Sequence, residues 1–154
     1  MRTIKFRGKD ILSGDLVYGD LIHGVGSKNG RMYILPTVVN LAGIKNCHPL
    51  DGVEVDPETV GQFTGLYDKN GKEIFECDIL FGREEGDGKT TAWNFYYEIF
   101  YDEKVCAFMA KEKNDKYWGI VICEINEQYE IIGNIFDNPE LLKKLITKNN
   151  ETQS

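Results

Sequence analysis

Apolar and polar residues alternate most regularly on either side of a turn sequence, Asp-Lys-Asn-Gly at 68–71. Asn-Gly readily takes positive φ, so we expect a tight chain reversal here, with Asn70 and Gly71 at positive φ. Beyond the turn, apolar residues recur at every second position, which predicts one half-buried strand. Its inward residues are Phe75, Cys77, Ile79 and Phe81, and its outward residues are Glu76 and Asp78.

The start of the chain predicts a β-hairpin. Residues 3–7 alternate in polarity, and a Ser13-Gly14 turn leads into a second alternating segment over residues 15–22. In the first of these strands, the inward residues are Ile4 and Phe6, and the outward residues are Lys5 and Arg7.

Two further features precede the central block. Pro36 interrupts an apolar run over residues 31–39, so this segment is either an edge strand or two short pieces. The sequence Asp-Pro-Glu-Thr at 56–59 predicts a single helical turn, with Asp56 as its cap and Pro57 in its first position.

The C-terminal half predicts four more strands and a helix. Residues 82–91 contain no apolar side chain and predict a mobile tip between strands. The strands that follow are predicted at 93–101, 105–110, 117–125 (apolar on both faces, so central) and 128–136. A helix is predicted after them, with Asn138 as N-cap and Pro139 in the first position. Its apolar stripe is Leu141, Leu142, Leu145 and Ile146.

These elements predict a mainly β protein, or α+β if the helices count, with an N-terminal β-hairpin region and a C-terminal helix. A chain of 154 residues with 42% hydrophobic residues is long and apolar enough for one compact domain. We expect that domain over residues 1–147, with subregions at 1–54 and 55–147, and a polar tail at 148–154.

Composition limits the functions that the chain can have. Its 25 acidic and 18 basic residues give a net charge of −7, which works against nonspecific nucleic-acid binding. The sequence has no run of about 18 apolar residues, so we expect no membrane span. Its N-terminus lacks the apolar segment of a secretory signal, so we expect a cytoplasmic protein.

The residues give no catalytic, cofactor-binding or metal-binding constellation. The four cysteines, Cys47, Cys77, Cys106 and Cys123, form no close ligand pair, so we interpret them as reduced and mostly buried thiols. The two histidines, His23 and His48, are interpreted as loop residues. The acidic residues Glu84, Glu85 and Asp87 are interpreted as a solvated charge run.

Two patterns leave nucleic-acid binding open. Four basic residues precede the first acid, namely Arg2, Lys5, Arg7 and Lys9, and they could contact phosphates or simply form a solvated strand face. Five aromatic residues could form a stacking platform for single strands or belong to the core, namely Phe95, Tyr96, Tyr97, Phe100 and Tyr101.

Three blocks of sequence carry a resemblance to a known family. Residues 61–66 (GQFTGL), 68–76 (DKNGKEIFE) and Asp78-Ile79 resemble the central motif of the YopX-like family of phage and prophage proteins. Residues 4–10 and 129–142 are similar to the opening and the close of that family. The resemblance implies a mainly β protein with a small SH3-like barrel, here within residues 55–147, and it implies no activity. The residues that we expect to have a structural role in these motifs are Gly65, Asn70, Gly71, Cys77, Asp78, Asn138 and Pro139.

Cys77 stands where the family usually has glycine. Glycine can mark either a backbone conformation that other residues avoid or a lack of room for a side chain. Since Cys77 lies between the inward-facing Phe75 and Ile79, we predict negative φ, a buried side chain and no disulfide for it.

Three functions remain open at this stage. The first is a non-catalytic phage or prophage accessory protein that binds a protein partner or itself, which the acidic balance favours. The second is a small nucleic-acid-binding barrel that uses the basic N-terminal strand. The third is a hydrolase whose site the sequence does not show.

Overall fold

The computed structural model describes residues 1–24, 30–36, 52–84, 93–112, 119–124 and 128–141. Within them the strands form two antiparallel sheets, which confirms the prediction of a mainly β protein. No closed barrel is found among the described strands. The chain forms two compact units, Met1–Phe63 and Thr64–Ser154. The expected single domain over 1–147 stays a prediction.

The first sheet has six strands in the spatial order β4-β3-β2-β1-β5-β6. They are β1 (Phe6–Lys9), β2 (Leu16–His23), β3 (Met32–Pro36), β4 (Val53–Val55), β5 (Gly61–Tyr67) and β6 (Glu73–Phe75). The N-terminal β-hairpin is confirmed, since β1 and β2 pair antiparallel, with Phe6 opposite Gly19 and Lys9 opposite Leu16.

The apolar run at 31–39 was predicted to be either an edge strand or two short pieces, and the position of β3 rules out the edge strand. β3 lies between β2 and β4, so it is not an edge strand. Pro36 is its last residue and stands opposite Gly19 of β2, which fits the tolerance of strand ends for a residue without an N–H group. Residues 37–39 lie outside the described residues.

β4 returns to the end of β1. Asp10 forms an isolated antiparallel bridge with Val55. On either side of this bridge, the N–H of Ile11 donates to the carbonyl of Glu54 (3.1 Å), and that of Asp56 donates to the carbonyl of Lys9 (2.8 Å). The end of β1 is therefore fixed on two sides, by β2 and by β4.

The predicted helical turn at 56–59 is confirmed as a 3-10 turn over Pro57–Thr59. The Asp56 side chain accepts a hydrogen bond from the N–H of Glu58 (3.1 Å), and Pro57 opens the turn. The buried Thr59 hydroxyl accepts from the N–H of Lys9 (2.8 Å), which ties the turn to β1. The buried hydrophobic residues described in the first unit, Met1–Phe63, are Ile34, Val55 and Phe63.

The turn at 68–71 is confirmed as a tight reversal, but its geometry differs from the prediction at one residue. Gly71 has a φ of 78°, whereas Asn70 is not among the residues with positive φ. The N–H of Gly71 donates to the carbonyl of Asp68 (2.9 Å), and the N–H of Asp68 donates to the carbonyl of Lys72 (2.8 Å). This pattern is a turn followed by one left-handed residue, which needs glycine only at position 71.

The predicted single strand through residues 75–81 is wrong. β6 ends at Phe75, the chain turns at Glu76 and Cys77, and a new strand, β7 (Asp78–Glu84), begins in the second sheet. Asp78 was expected to face outward and is instead buried, because its carboxylate accepts a hydrogen bond from the N–H of Phe75 (2.8 Å). The turn therefore depends on a buried carboxylate, which an alternating pattern does not reveal.

Cys77 also departs from its prediction. Its φ is 67°, in the left-handed region, and its side chain is only half-buried. No disulfide joins Cys77 to another described cysteine. Its backbone is fixed from two sides: its N–H donates to the carbonyl of Ile99 (2.7 Å), and its carbonyl accepts from the N–H of Ile135 (3.0 Å). The two hydrogen bonds hold the backbone of residue 77 at positive φ. Glycine suits this position because it adopts positive φ without strain.

We expect Cys77→Gly to raise the free energy of unfolding by up to about 1 kcal/mol, because it removes the strain of a Cβ at positive φ. Cys77→Val should lower it by about 1–2 kcal/mol, because a β-branched residue tolerates this conformation worst. Urea unfolding followed by circular dichroism measures both. The control is Cys123→Gly, at an exposed residue without positive φ, which should only lower stability.

The second sheet has five strands in the order β10-β9-β8-β7-β11. The strands after β7 are β8 (Trp93–Asp102), β9 (Ala107–Glu112), β10 (Gly119–Val121) and β11 (Glu130–Asn134), and a 3-10 turn over Ile122–Glu124 follows β10. The strands predicted at 93–101 and 105–110 are found as β8 and β9, which pair antiparallel with Asp102 opposite Ala107. The core of the second unit, Thr64–Ser154, contains one residue of β6 and residues from the second sheet and the turn after β10, namely Ile74, Leu80, Tyr97, Ile99, Phe108, Ala110 and Ile122.

Three details of the second sheet differ from the prediction. The segment predicted as a central strand at 117–125 gives β10, which is an edge strand and only three residues long. Gly82 belongs to β7 rather than to a polar tip, and it makes room for the ring of Tyr129, which a Cβ would overlap. A bulge between Ile131 and Gly133 interrupts the alternation of β11. Residues 85–92, where the mobile tip was predicted, lie outside the described residues.

The start of the C-terminal helix is confirmed. Residues 139–141 are helical, and the N–H of Leu141 donates to the carbonyl of Asn138 (3.0 Å), so Asn138 has the N-cap position and Pro139 follows it. The Asn138 side chain also accepts from the N–H of Asn134 (3.3 Å). The rest of the predicted stripe, Leu142, Leu145 and Ile146, and the predicted tail lie outside the described residues.

Candidate functional site

The turn between β1 and β2, residues 10–15, is an exposed segment held by several hydrogen bonds. The N–H of Asp10 donates to the carbonyl of Asp15 (2.9 Å), and the N–H of Gly14 donates to the carbonyl of Asp10 (2.8 Å). Gly14 has a φ of 77°, which lets the chain close without strain. We call residues 10–15 the β1–β2 turn.

Side chains reinforce the β1–β2 turn. The Asp10 carboxylate accepts from the N–H of Leu12 (2.8 Å) and from the hydroxyl of Ser13 (3.1 Å). The Ser13 hydroxyl oxygen accepts in turn from the N–H of Asp15 (3.2 Å). Asp and Ser favour turns because their short side chains bond to nearby backbone groups in this way. The turn is thus held by its own side chains and by the pairing of Asp10 and Ile11 with β4.

This well-held turn displays two aliphatic side chains to solvent. Leu12 is 91% exposed and Ile11 is 51% exposed. Single exposed apolar residues are common on protein surfaces, but two adjacent ones on a turn with so many hydrogen bonds are less easily explained by chance. A partner that covers them would not have to order the turn first, which lowers the entropic cost of binding.

Exposed acidic residues lie in the β1–β2 turn and on the segment bonded to the end of β1. Asp15 closes the turn, and Asp56 and Glu58 lie on the segment that hydrogen-bonds to the end of β1; all three are exposed. The negative charge near the turn is not a property of the whole unit. Met1–Phe63 contains seven of the 18 basic and seven of the 25 acidic residues of the chain. The first unit is therefore neutral as a whole, and the excess of seven acids falls in Thr64–Ser154.

The four predicted phosphate contacts do not share one exposed face. Arg7 was expected to face outward and is only 4% exposed, so it cannot contact a phosphate at the surface. Lys5 and Lys9 are half-buried, and the Lys5 ammonium lies 5.9 Å from the centre of the Tyr18 ring, in the range of a cation–π contact. Of the four, only Arg2 is exposed.

The aromatic residues of β8 belong mainly to the core. Tyr97 is buried, with its ring 6.3 Å from that of Phe95 and 5.4 Å from that of Tyr129. Tyr96 pairs with Phe81 at 5.0 Å. Phe100 is half-buried, and Tyr101, which is exposed, has its ring against Phe108. These contacts occupy the rings that a base-stacking platform would need.

The described residues show no catalytic or metal-binding constellation. No three His, Cys, Asp or Glu side chains among them lie close enough together to hold a metal ion. His23 is exposed at the end of β2. Cys106 and Cys123 are exposed as well, so the expectation of mostly buried thiols is wrong for the described cysteines. Cys47, His48, Glu85 and Asp87 lie outside the described residues, and Glu84 belongs to β7.

Asp68 is a buried carboxylate with a structural role. One of its oxygens accepts from the N–H groups of Asn70 (2.8 Å) and Lys72 (2.9 Å), and the other accepts from the N–H of Ile131 in β11 (3.1 Å). Burial, the largest single influence, acts to raise the pKa of Asp68, but these hydrogen bonds together outweigh it and hold the pKa below its ordinary value. The carboxylate thus stays ionised and joins the 68–71 turn to β11.

Sequence reasoning did not single out Ile11 and Leu12. A signal for them was present: two aliphatic residues inside a turn sequence, between an aspartate and Ser13-Gly14, where polar residues are the rule. What the sequence could not show is their exposure, since an apolar pair beside a strand can also fold back onto the core.

The fold is that of a mainly β protein, with two antiparallel sheets among the described residues. The family model described as YopX protein matches residues 5–143, and the chain belongs to this family. A search of the curated proteins finds no match.

One solved structure resembles the chain over most of its length. The crystal structure of protein EF1440 from Enterococcus faecalis is similar with a TM-score of 0.53 and 25% sequence identity. The similarity covers 92% of this chain and 99% of that one. Of the helices that the structure describes, none has the length and apolar character to cross a bilayer.

Proposed function

We propose that this YopX-family chain is a non-catalytic phage or prophage accessory protein that binds a protein partner in the host cytoplasm. The observation that carries the proposal is the display of Leu12 and Ile11 on a turn fixed by its own side chains and by β4. Exposed aliphatic anchors on a preorganised support are what protein–protein interfaces use for their central contacts.

The SH3-like barrel that the family resemblance implies for residues 55–147 forms part of this proposal. Its support is the run of antiparallel neighbours β10-β9-β8-β7-β11, whose strands are joined in part by short turns. Small barrels of this kind commonly serve as binding modules, and their fold alone does not specify the ligand.

We expect Leu12→Ser to weaken binding of the partner about tenfold or more, since burial of a leucine is worth about 1.5–3 kcal/mol. Tagged wild-type protein, Leu12→Ser and a control would be used to recover partners from phage-infected cells, with nuclease added. The control is Val105→Ser, because Val105 is 57% exposed in the turn between β8 and β9 of the second unit. Retention of the same partner by Leu12→Ser would contradict the proposal.

Nucleic-acid binding through the N-terminal strand has less support, because Arg7 is buried and Lys5 and Lys9 are half-buried. We expect no measurable binding of single- or double-stranded DNA at physiological salt in an anisotropy assay. If binding did occur through these cations, it would fall steeply with salt and would be lost when Lys5 and Lys9 are replaced by glutamate. Micromolar, salt-sensitive binding would make this function the better one. A hydrolase ranks last, because no residues in the described part of the chain support a metal-dependent site.

A further inference from the structure

We infer that the partner of the β1–β2 turn is a different protein with an apolar pocket rimmed by lysine or arginine, into which Leu12 inserts. This inference rests on the proposed function and adds the chemistry of the partner. Three features carry it: the exposure of Leu12, the support of the turn, and the exposed acids Asp15, in the turn, and Asp56 and Glu58, on the segment bonded to the end of β1.

The shape of the site requires a concave partner. Leu12 is 91% exposed, and its own N–H is bonded to the Asp10 carboxylate at 2.8 Å, so the backbone beneath it is held in place. A side chain that projects from a fixed turn gains most when it enters a pocket, since a flat surface would leave much of it in water. Ile11, which is 51% exposed, would lie at the pocket's edge.

The acidic residues near the turn indicate which charges the rim of the partner's pocket carries. Asp15 and Glu58 are exposed, and the Asp56 carboxylate lies beside Glu58 because it accepts from the N–H of Glu58 (3.1 Å). Complementary charges at the rim of an interface speed association and exclude wrong partners. Lysine or arginine around the pocket would match these acids, whereas acidic residues there would repel them.

The same charges argue against other occupants. The anionic surface of a membrane and the phosphates of nucleic acid would both be repelled by the acids beside Leu12. A second copy of this chain is disfavoured, because its second unit carries the whole excess of seven acids and its first unit has no net positive charge to match the acids near Leu12. A basic-rimmed pocket on another protein is the occupant whose charge attracts these acids.

The test places a photo-crosslinking phenylalanine analogue at position 12 of the full chain in phage-infected cells, with position 105 as the control site. The host or phage protein that crosslinks at position 12 would then be purified, and its affinity measured for wild type, Leu12→Ser and the double variant Asp15→Asn/Glu58→Gln. These two substitutions neutralise charge while they keep the size of the side chain. The side-chain hydrogen bonds of the turn are made by Asp10 and Ser13, so neither substitution removes one of them.

We expect the double variant to bind about three- to tenfold more weakly at 50 mM salt, with the difference largely lost at 500 mM salt because the rim charges are then screened. Leu12→Ser should weaken binding at both salt concentrations. An affinity of the double variant equal to or above that of wild type at low salt would overturn the inference and leave the proposed function standing. A crosslink to this chain itself, to lipid or to nucleic acid would overturn the inference too. A specific crosslink at position 105 without one at position 12 would overturn both.

Discussion

Replacement of Asp68 by alanine is expected to lower the free energy of unfolding by about 3–4 kcal/mol. The Asp68 carboxylate accepts hydrogen bonds from three backbone N–H groups, and the residue is only 6% exposed. Alanine would leave these donors without their charged acceptor: Asn70 in the 68–71 turn, Lys72 directly after it and Ile131 in β11. Since a hydrogen bond to a charged group is worth about 1.5–3 kcal/mol, the loss of three together is severe.

The matched control for this change is Asp102→Ala. The Asp102 carboxylate makes the same kind of turn contact, accepting from the N–H of Lys104 (2.8 Å), but in an exposed hairpin turn and without a distant partner. It should cost about 0.5–1 kcal/mol. Urea unfolding with hydrogen exchange at the Ile131 amide measures the effect where the third bond is lost. Equal costs for the two variants would contradict the role assigned to Asp68.

The pH dependence of stability tests the same residue in another way. The pKa of Asp68 lies below its ordinary value of 3.8, so the folded protein binds the proton of this carboxyl less readily than the unfolded chain does. The stability that the carboxylate adds is therefore fully present above the unfolded pKa and is lost as the pH falls through the lower, folded pKa. The advantage of wild type over Asp68→Asn should be constant at neutral pH and shrink below about pH 4.

Local sequence patterns predicted the elements that local interactions hold. The β1–β2 hairpin, the 3-10 turn at Pro57–Thr59, β8 and the start of the helix at Pro139 were all found close to their expected places. In each case the deciding signal, a period of two or a capping residue, involves residues only a few positions apart. The Asp56 cap, which reaches two residues along the chain, is an example.

The break at Cys77 could not be predicted from the pattern, because distant residues cause it. The N–H and carbonyl of Cys77 bond to Ile99 and Ile135, on strands and turns far along the sequence. The alternation from Phe75 to Phe81 continues across the break, so it looked like one strand. The glycine usual in the family at this position is a hint of the break, whereas the position of Cys77 between Phe75 and Ile79 favours a continuous strand.

The sequence pattern did not predict the candidate site for a related reason. Alternation placed Arg7 outward and could not show that it is buried, because burial depends on which elements cover a strand face. It also gave no reason to look at Ile11 and Leu12, since apolar residues are normally assigned to the core before a structure is known. Most of the basic residues predicted to form a surface are therefore buried or half-buried. The exposed apolar residues, Ile11 and Leu12, follow the C-terminal end of the same strand.

Gly19→Ala is the second substitution for which we expect a large effect, a loss of about 3 kcal/mol or more in the free energy of unfolding. An ideal Cβ at Gly19 would overlap the carbonyl oxygen of Leu35 and lie 2.6 Å from its carbonyl carbon. It would also lie 3.0 Å from the Cα of Pro36, directly opposite in the register of β2 and β3. These atoms are backbone, so they can move only if β3 moves, and β3 is itself paired to β4 on its other side.

The control for Gly19→Ala is Gly14→Ala in the same unit. Gly14 has a φ of 77° but nothing within 4 Å of the Cβ that alanine would add, so only backbone strain of about 1 kcal/mol is expected. Because two compact units need not unfold together, hydrogen exchange at the amides of β2 and β3 is the measurement that isolates the first unit. Protection should fall far more in Gly19→Ala than in Gly14→Ala, since displacement of β3 breaks its pairing on both sides, whereas strain at an exposed turn leaves the sheet intact. Similar protection in the two variants would show that β3 can shift at little cost and that the close approach at Gly19 is not what fixes its place in the sheet.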